Sequence, residues 1–147
     1  MGGNTALQSG RRLQWVREII LMTPFDPSYY LLHGMEDTFR GLLTDGEILH
    51  SDGLEAIYND ADAHKEAYCY PEAFEEVKDR NLCIIDGAYD DIAPGKLMVM
   101  PLWNRLKVHQ TTAVQKHKTF DCEHYMCNVR FQVVTYIGEF IKEVLGE

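Results

Sequence analysis

Three runs of apolar residues, 29–32 (Tyr-Tyr-Leu-Leu), 82–85 (Leu-Cys-Ile-Ile) and 97–100 (Leu-Met-Val-Met), most constrain what this chain can fold into. Each is too short to make a helix and is closed by turn residues: His33-Gly34, Asp86-Gly87 and Pro101 respectively. Short, wholly apolar runs bounded in this way are the pattern of strands buried on both faces. A chain built on them needs helices or a second sheet to cover them.

Between these runs the spacing predicts helices. Leu13, Val16 and Ile20, with Trp15, Ile19 and Met22 alongside, follow helical periodicity until Pro24 and Pro27 stop it. Residues 37–43 place Phe39, Leu42 and Leu43 on one face, with Gly46 where a C-terminal cap belongs. A polar stretch around Ser51-Asp52-Gly53 leads to a predicted strand at 54–58. Asn59-Asp60 then caps a helix reaching Tyr68. Residues 70–80 read as a further helical piece or loop, and 86–95 as a turn-rich loop. Residues 107–114 read as a strand and 125–136 as the longest strand, with Tyr125, Cys127, Val129, Phe131 and Val133 on one face. Residues 137–145 either end that sheet or form a short helix. Short strands mixed with short helices, without regular alternation, indicate an α+β fold. The Gly-, Ser- and Asn-rich segment 1–12 is expected to be disordered, leaving 13–147 as a single domain.

Composition narrows the function. A chain of 147 residues buries roughly two-thirds of its unfolded surface and needs no disulfide or metal to fold. Its net charge of −9 argues against affinity gained by neutralising phosphates along a duplex. Cys69, Cys83, Cys122 and Cys127 show no disulfide spacing, so reduced thiols and a cytoplasmic or nuclear setting are expected. No apolar stretch reaches the roughly 18 residues that span a bilayer, and no membrane partner is expected.

One constellation carries chemistry. His33-Gly34 closes the first apolar run, Ile57-Tyr58 closes the second predicted strand, Tyr68 follows on the next helix, and Glu123 stands near a late strand. This order resembles the ADP-ribosyltransferase fold in its poly(ADP-ribose) polymerase-like branch, over about residues 29–90. The resemblance implies a split antiparallel sheet with short flanking helices. It also implies NAD as substrate, with ADP-ribose moved onto an acceptor and nicotinamide released. His33, Tyr58 and Glu123 would be catalytic. His33 would bind the adenosine ribose, Gly34 would present its backbone to the nicotinamide amide, and Tyr58 and Tyr68 would sandwich the nicotinamide ring. Glu123 would stabilise the oxocarbenium character of the transition state. Asp121, Glu139 and Glu143 are the other late carboxylates.

The acidity favours a protein acceptor over nucleic acid. Two alternatives on the same fold are a non-catalytic acidic interaction or inhibitor module, and NAD-dependent removal of an RNA 2′-phosphate. His117, Cys122, His124 and Cys127 are all zinc-binding types. Their spacing lacks a knuckle, so the expectation is buried thiols and partly exposed histidines, with no metal. The basic stretch Arg105, Lys107, His109, Lys116, His117 and Lys118 reads as solvated charge, or as positive potential for a pyrophosphate.

Overall fold

A computed structural model describes residues 2–44 and 52–147. Gly46 and Ser51, expected in a helix cap and a polar turn, lie outside the described residues. Among those described, three strands form one sheet: β1 (Glu18–Met22), β2 (Asn81–Gly87) and β3 (Gln115–Phe120), in the order β1-β2-β3. Both pairings are parallel, with Ile20 opposite Cys83 and Ile84 opposite His117. The expected split antiparallel sheet is therefore corrected. Antiparallel neighbours can be joined by tight turns, but here long helical crossovers, residues 23–80 and 88–114, return the chain to the same end of the sheet each time. The fold is mixed α/β.

Helices cover both faces. On one face Leu7 of α1 (Gly2–Arg12), Val77 of α6 (Phe74–Val77) and Leu102 and Leu106 of α8 (Met100–Leu106) pack on Ile19, Leu21, Leu82 and Ile84. On the other, Val133 and Phe140 of α9 (Arg130–Leu145) pack with Cys83, Ile85 and Phe120. Covered on both faces, β2 is buried at every position from Leu82 onward, which is why its sequence reads as a continuous apolar run. Each fully buried Leu, Ile or Phe contributes about 1.5–3 kcal/mol, so these two layers hold most of the stabilising burial.

The first crossover builds a helical lobe. There α2 (Pro27–Leu32), α3 (Glu36–Thr44), α4 (Leu54–Ala63) and α5 (Lys65–Tyr68) enclose Tyr30, Leu31, Phe39, Leu43 and Ala61, with a 3-10 turn at Tyr70–Ala73 leading back to the sheet. Ala93 and Met98, the latter in α7 (Gly95–Met98), join this core from the second crossover. The Tyr30 hydroxyl donates to the Ile92 carbonyl (3.3 Å), and the Asp26 N–H to the Met98 sulfur (3.3 Å). These bonds seat the lobe over the carboxyl ends of β1 and β2. Asp26 caps α2 from a buried position and accepts from the N–H groups of Ser28 (3.0 Å) and Tyr70 (2.9 Å). Burial pushes its carboxyl up to about 6 in spite of those donors.

Several expected elements changed type. Residues 1–12, expected disordered, hold α1, whose Leu7 is fully buried. The predicted helix at 13–22 holds β1, and the predicted strands at 29–32, 54–58 and 97–100 fall in α2, α4 and the α7–α8 region. The strand expected at 107–114 begins at Gln115, and most of the strand expected at 125–136 belongs to α9. The helix at 37–43 and the strand at 82–85 stand as α3 and β2.

Candidate active site

In an open parallel sheet the loops leaving the carboxyl ends of neighbouring strands converge, and that edge is where such folds place ligands. Two of those loops here are tied together by backbone hydrogen bonds. Ala88 N–H donates to the Phe120 carbonyl (2.8 Å) and Tyr89 N–H to the Cys122 carbonyl (3.0 Å). Gly87 makes the approach possible: a Cβ on it would lie 2.6 Å from the Cys122 carbonyl oxygen. Asp90 follows in one loop and His124 in the other.

Asp90 Oδ2 accepts a hydrogen bond from His124 Nδ1 at 2.8 Å. Its Oδ1 accepts from the N–H groups of Ile92 (3.0 Å) and Ala93 (2.7 Å). The Asp90 side chain is 0% exposed and that of His124 18%. Burial alone would raise the carboxyl. The His124 hydrogen bond, reinforced by the Ala93 and Ile92 donors, outweighs burial and holds Asp90 below the ordinary aspartate value. An ionised carboxylate only accepts, so Nδ1 carries the proton, and in the neutral ring Nε2 is left as a base. Asp90 thus fixes both tautomer and ring orientation, as the buried acid of a hydrolytic triad does.

Beside Asp90 a cavity of about 230 Å3 is lined by Asp86, Gly95, Lys96, Met100 and Thr119, among others. The first turn of α1 lies at the same edge of the sheet. A Cβ on Gly3 would fall 2.7 Å from Pro24 Cα, in the loop leaving β1, whereas Gly10 packs on Ile19 near the strand's start. Helix α1 therefore runs antiparallel to β1, with its amino end at the carboxyl edge.

The residues singled out in the sequence sit elsewhere, with one near miss. His33 is the C-terminal cap of α2, its Nδ1 2.7 Å from the Tyr29 carbonyl, and Gly34 follows at φ +67°. Tyr58 lies on α4 beneath the Arg40 guanidinium, 3.6 Å from its ring centre. Tyr68, on α5, donates its hydroxyl to Asp60 (3.1 Å). These four belong to the helical lobe. Glu123 stands in the turn after β3 and accepts from the Tyr125 N–H (2.9 Å). Among the described residues no hydrogen bond, ion pair or ring contact joins Glu123 to any of the other four. The sequence singled out His124 only as a zinc-binding type, beside Glu123, and placed Asp90 only within a turn-rich loop. The available signal was a turn-rich loop after a buried strand, followed one strand later by a histidine in a second loop.

The zinc-type residues divide: His124 pairs with Asp90, His117 with Asp86, Cys122 is buried and Cys127 is exposed. No group of three potential metal ligands occurs among the described residues. The basic stretch is partly consumed by packing. Arg105 lies over the Phe74 ring, Lys116 pairs with Glu143, and His109 pairs with Asp79. No helix among the described residues is long and apolar enough to cross a membrane.

No family model matches this chain, and no curated protein sequence matches it. Among solved structures it is similar to an esterase of Pyrococcus furiosus, with a TM-score of 0.61 and 16% identity over 97% of this chain and 50% of the esterase chain. The chain thus spans half the length of that esterase. The likeness is one of fold, and it overturns the transferase reading. This chain's sheet is parallel and its fold is similar to that of an esterase structure, so ADP-ribosyl transfer, and the interaction module derived from the same fold, are set aside.

Proposed function

We propose that this chain supplies the acid–base half of a hydrolase site that cleaves esters by acyl transfer. The observation that carries the reading is the Asp90–His124 pair, with a fully buried, doubly anchored carboxylate that holds His124 by Nδ1 and leaves Nε2 unbonded among the described residues. The order aspartate then histidine, on loops after successive parallel strands, follows the arrangement of α/β-hydrolase triads, in which a serine comes first on a strand-to-helix turn. Ser9, Ser28 and Ser51 are the serines here, and none stands in a G-x-S-x-G pattern. In this reading the nucleophile is carried by other polypeptide.

In that arrangement His124 Nε2 takes the proton from the attacking hydroxyl as it adds to the ester carbonyl. It then returns that proton to the departing alkoxide. Asp90 remains ionised throughout and stabilises the imidazolium.

Two measurements test this. Proton NMR of the chain should show the hydrogen-bonded Nδ1–H of His124 far downfield, and Asp90→Asn should remove it. With the nucleophile-bearing polypeptide present, p-nitrophenyl butyrate should be hydrolysed and His124→Gln should abolish turnover. Unchanged turnover in that variant would end the proposal.

A further inference from the structure

Helix α9 has two apolar faces, and the sheet uses one. Val133, Phe140 and the partly buried Tyr136, Ile137 and Val144 point into the core. A second stripe, Phe131, Val134, Gly138, Ile141 and Leu145, repeats at alternating steps of three and four, the spacing of a coiled-coil seam. Its side chains are open to solvent: Phe131 is 91% exposed, Val134 68%, Leu145 65% and Ile141 43%. Apolar side chains scattered singly over a surface need no explanation, but a contiguous stripe of them marks an interaction site.

We infer that this stripe is the interface of a homodimer, in which α9 of a second copy packs antiparallel across it. Reversed about Gly138, the stripe sets Phe131 against the second copy's Leu145 and brings Val134 within one residue of its Ile141, so large side chains meet large ones at both ends. Gly138 falls on the two-fold axis, and a Cβ built there would meet nothing within 4 Å. That leaves room for the two backbones to approach closely, as an isologous interface of this kind requires.

Charge supports the same occupant. Glu139 and Glu143 lie on the other side of α9, Glu143 already paired with Lys116, so no carboxylates oppose one another along the seam. Arg130, whose guanidinium otherwise contacts the Cys127 sulfur, is brought to the carboxyl end of the partner helix, where free carbonyls and Glu147 are negative.

Sedimentation analysis over roughly 1–300 µM chain, a range in which mass action separates monomer from dimer, tests the inference. The expected result is a concentration-dependent dimer that strengthens with salt, since two chains of −9 repel beyond the seam. Phe131→Asp, at a solvent-facing position, should leave the circular dichroism unchanged and weaken dimerisation at least tenfold. In a Cys127→Ser background, Gly138→Cys should form an intermolecular disulfide under mild oxidation, and Gln132→Cys, on the opposite side of α9, should not. A monomer throughout the range overturns the inference. So does a dimer indifferent to Phe131→Asp, and so does equal cross-linking from positions 138 and 132.

Discussion

The same two strands carry two aspartate–histidine pairs, and only one is placed to do chemistry. Asp86 and His117 lie within β2 and β3, with Oδ2 to Nε2 at 2.9 Å; Asp90 and His124 lie in the loops just beyond, with Oδ2 to Nδ1 at 2.8 Å. Residue types, strands and distances are alike. What differs is which ring nitrogen the carboxylate holds. His117 spends Nε2, the ring tip, on Asp86 and leans on Trp103, with ring centres 5.4 Å apart. His124 is held by Nδ1, which leaves Nε2 without a hydrogen-bond partner among the described residues. The carboxylates differ too: every Asp90 oxygen has a donor, whereas Asp86 Oδ1 is buried with no partner among the described residues. The pair inside the sheet has its ring tip bonded, whereas the pair at the carboxyl edge leaves Nε2 available for the proton transfer proposed above.

Substitutions can break or sharpen this contrast. With the nucleophile-bearing polypeptide present, the largest effect is expected from Asp90→Asn, which should cut p-nitrophenyl butyrate turnover about 10^4-fold by releasing the wrong His124 tautomer. Asp86→Asn should leave turnover within about threefold of the parent, because His117 acts on no substrate. Equal losses from the two variants would erase the distinction.

Gly87→Val comes next. Its side chain would be driven into the Cys122 carbonyl, parting the two loops that hold the dyad. Thermal or urea unfolding should show a loss of about 3 kcal/mol, accompanied by disappearance of the downfield His124 proton. Survival of that proton at full intensity would show that the loops do not depend on this close approach.

A third buried carboxylate sharpens the comparison through pH. Asp26 is raised to about 6 by burial, so its folded state binds a proton more readily than the unfolded chain does. Its contribution is fully present below the unfolded value and is lost as pH rises through 6, costing up to about 3 kcal/mol between pH 4 and 7. Asp90 runs the other way. Its lowered value contributes stability above the ordinary aspartate range, lost only as pH falls below it. Urea titrations from pH 3 to 7.5 should show Asp26→Asn flattening the upper limb and Asp90→Asn the acid limb. A curve unchanged by Asp26→Asn would remove the burial argument for that group.

The smallest effect is expected from His117→Gln, which keeps a donor near Asp86 and should cost about 1–2 kcal/mol in stability. No change in ester turnover should accompany it.

The sequence was most legible where burial is symmetric. Residues 82–85 read correctly as a strand because β2 is covered on both faces and its apolar run has no competing period. Residues 37–43 read correctly as a helix because Phe39 and Leu43 mark a single buried face. Reading failed where local preference and tertiary demand diverge. The segment 125–136 is rich in Val, Phe, Tyr and Thr and carries apolar residues on two sides of α9, so a strand-like alternation appeared in a helix. Strand β3, Gln-Lys-His-Lys-Thr-Phe, was overlooked because it pairs with β2 alone among the described residues, and such an edge tolerates lysine.

For the site, the turn-rich loop after β2 and the histidine after residue 120 were both visible in the sequence. Their partnership was not, since 34 positions separate Asp90 from His124 and only the parallel register of β2 and β3 brings their ends together. Periodicity and composition act over a few residues, so the sequence by itself determined a chain of short strands and helices, read as α+β, with a buried strand at 82–85 and turns at particular places. Strand direction, and with it which loops converge, depends on how long crossovers pack against the sheet. That choice is made by the whole core, and it separates the unbonded Nε2 of His124 from the spent one of His117.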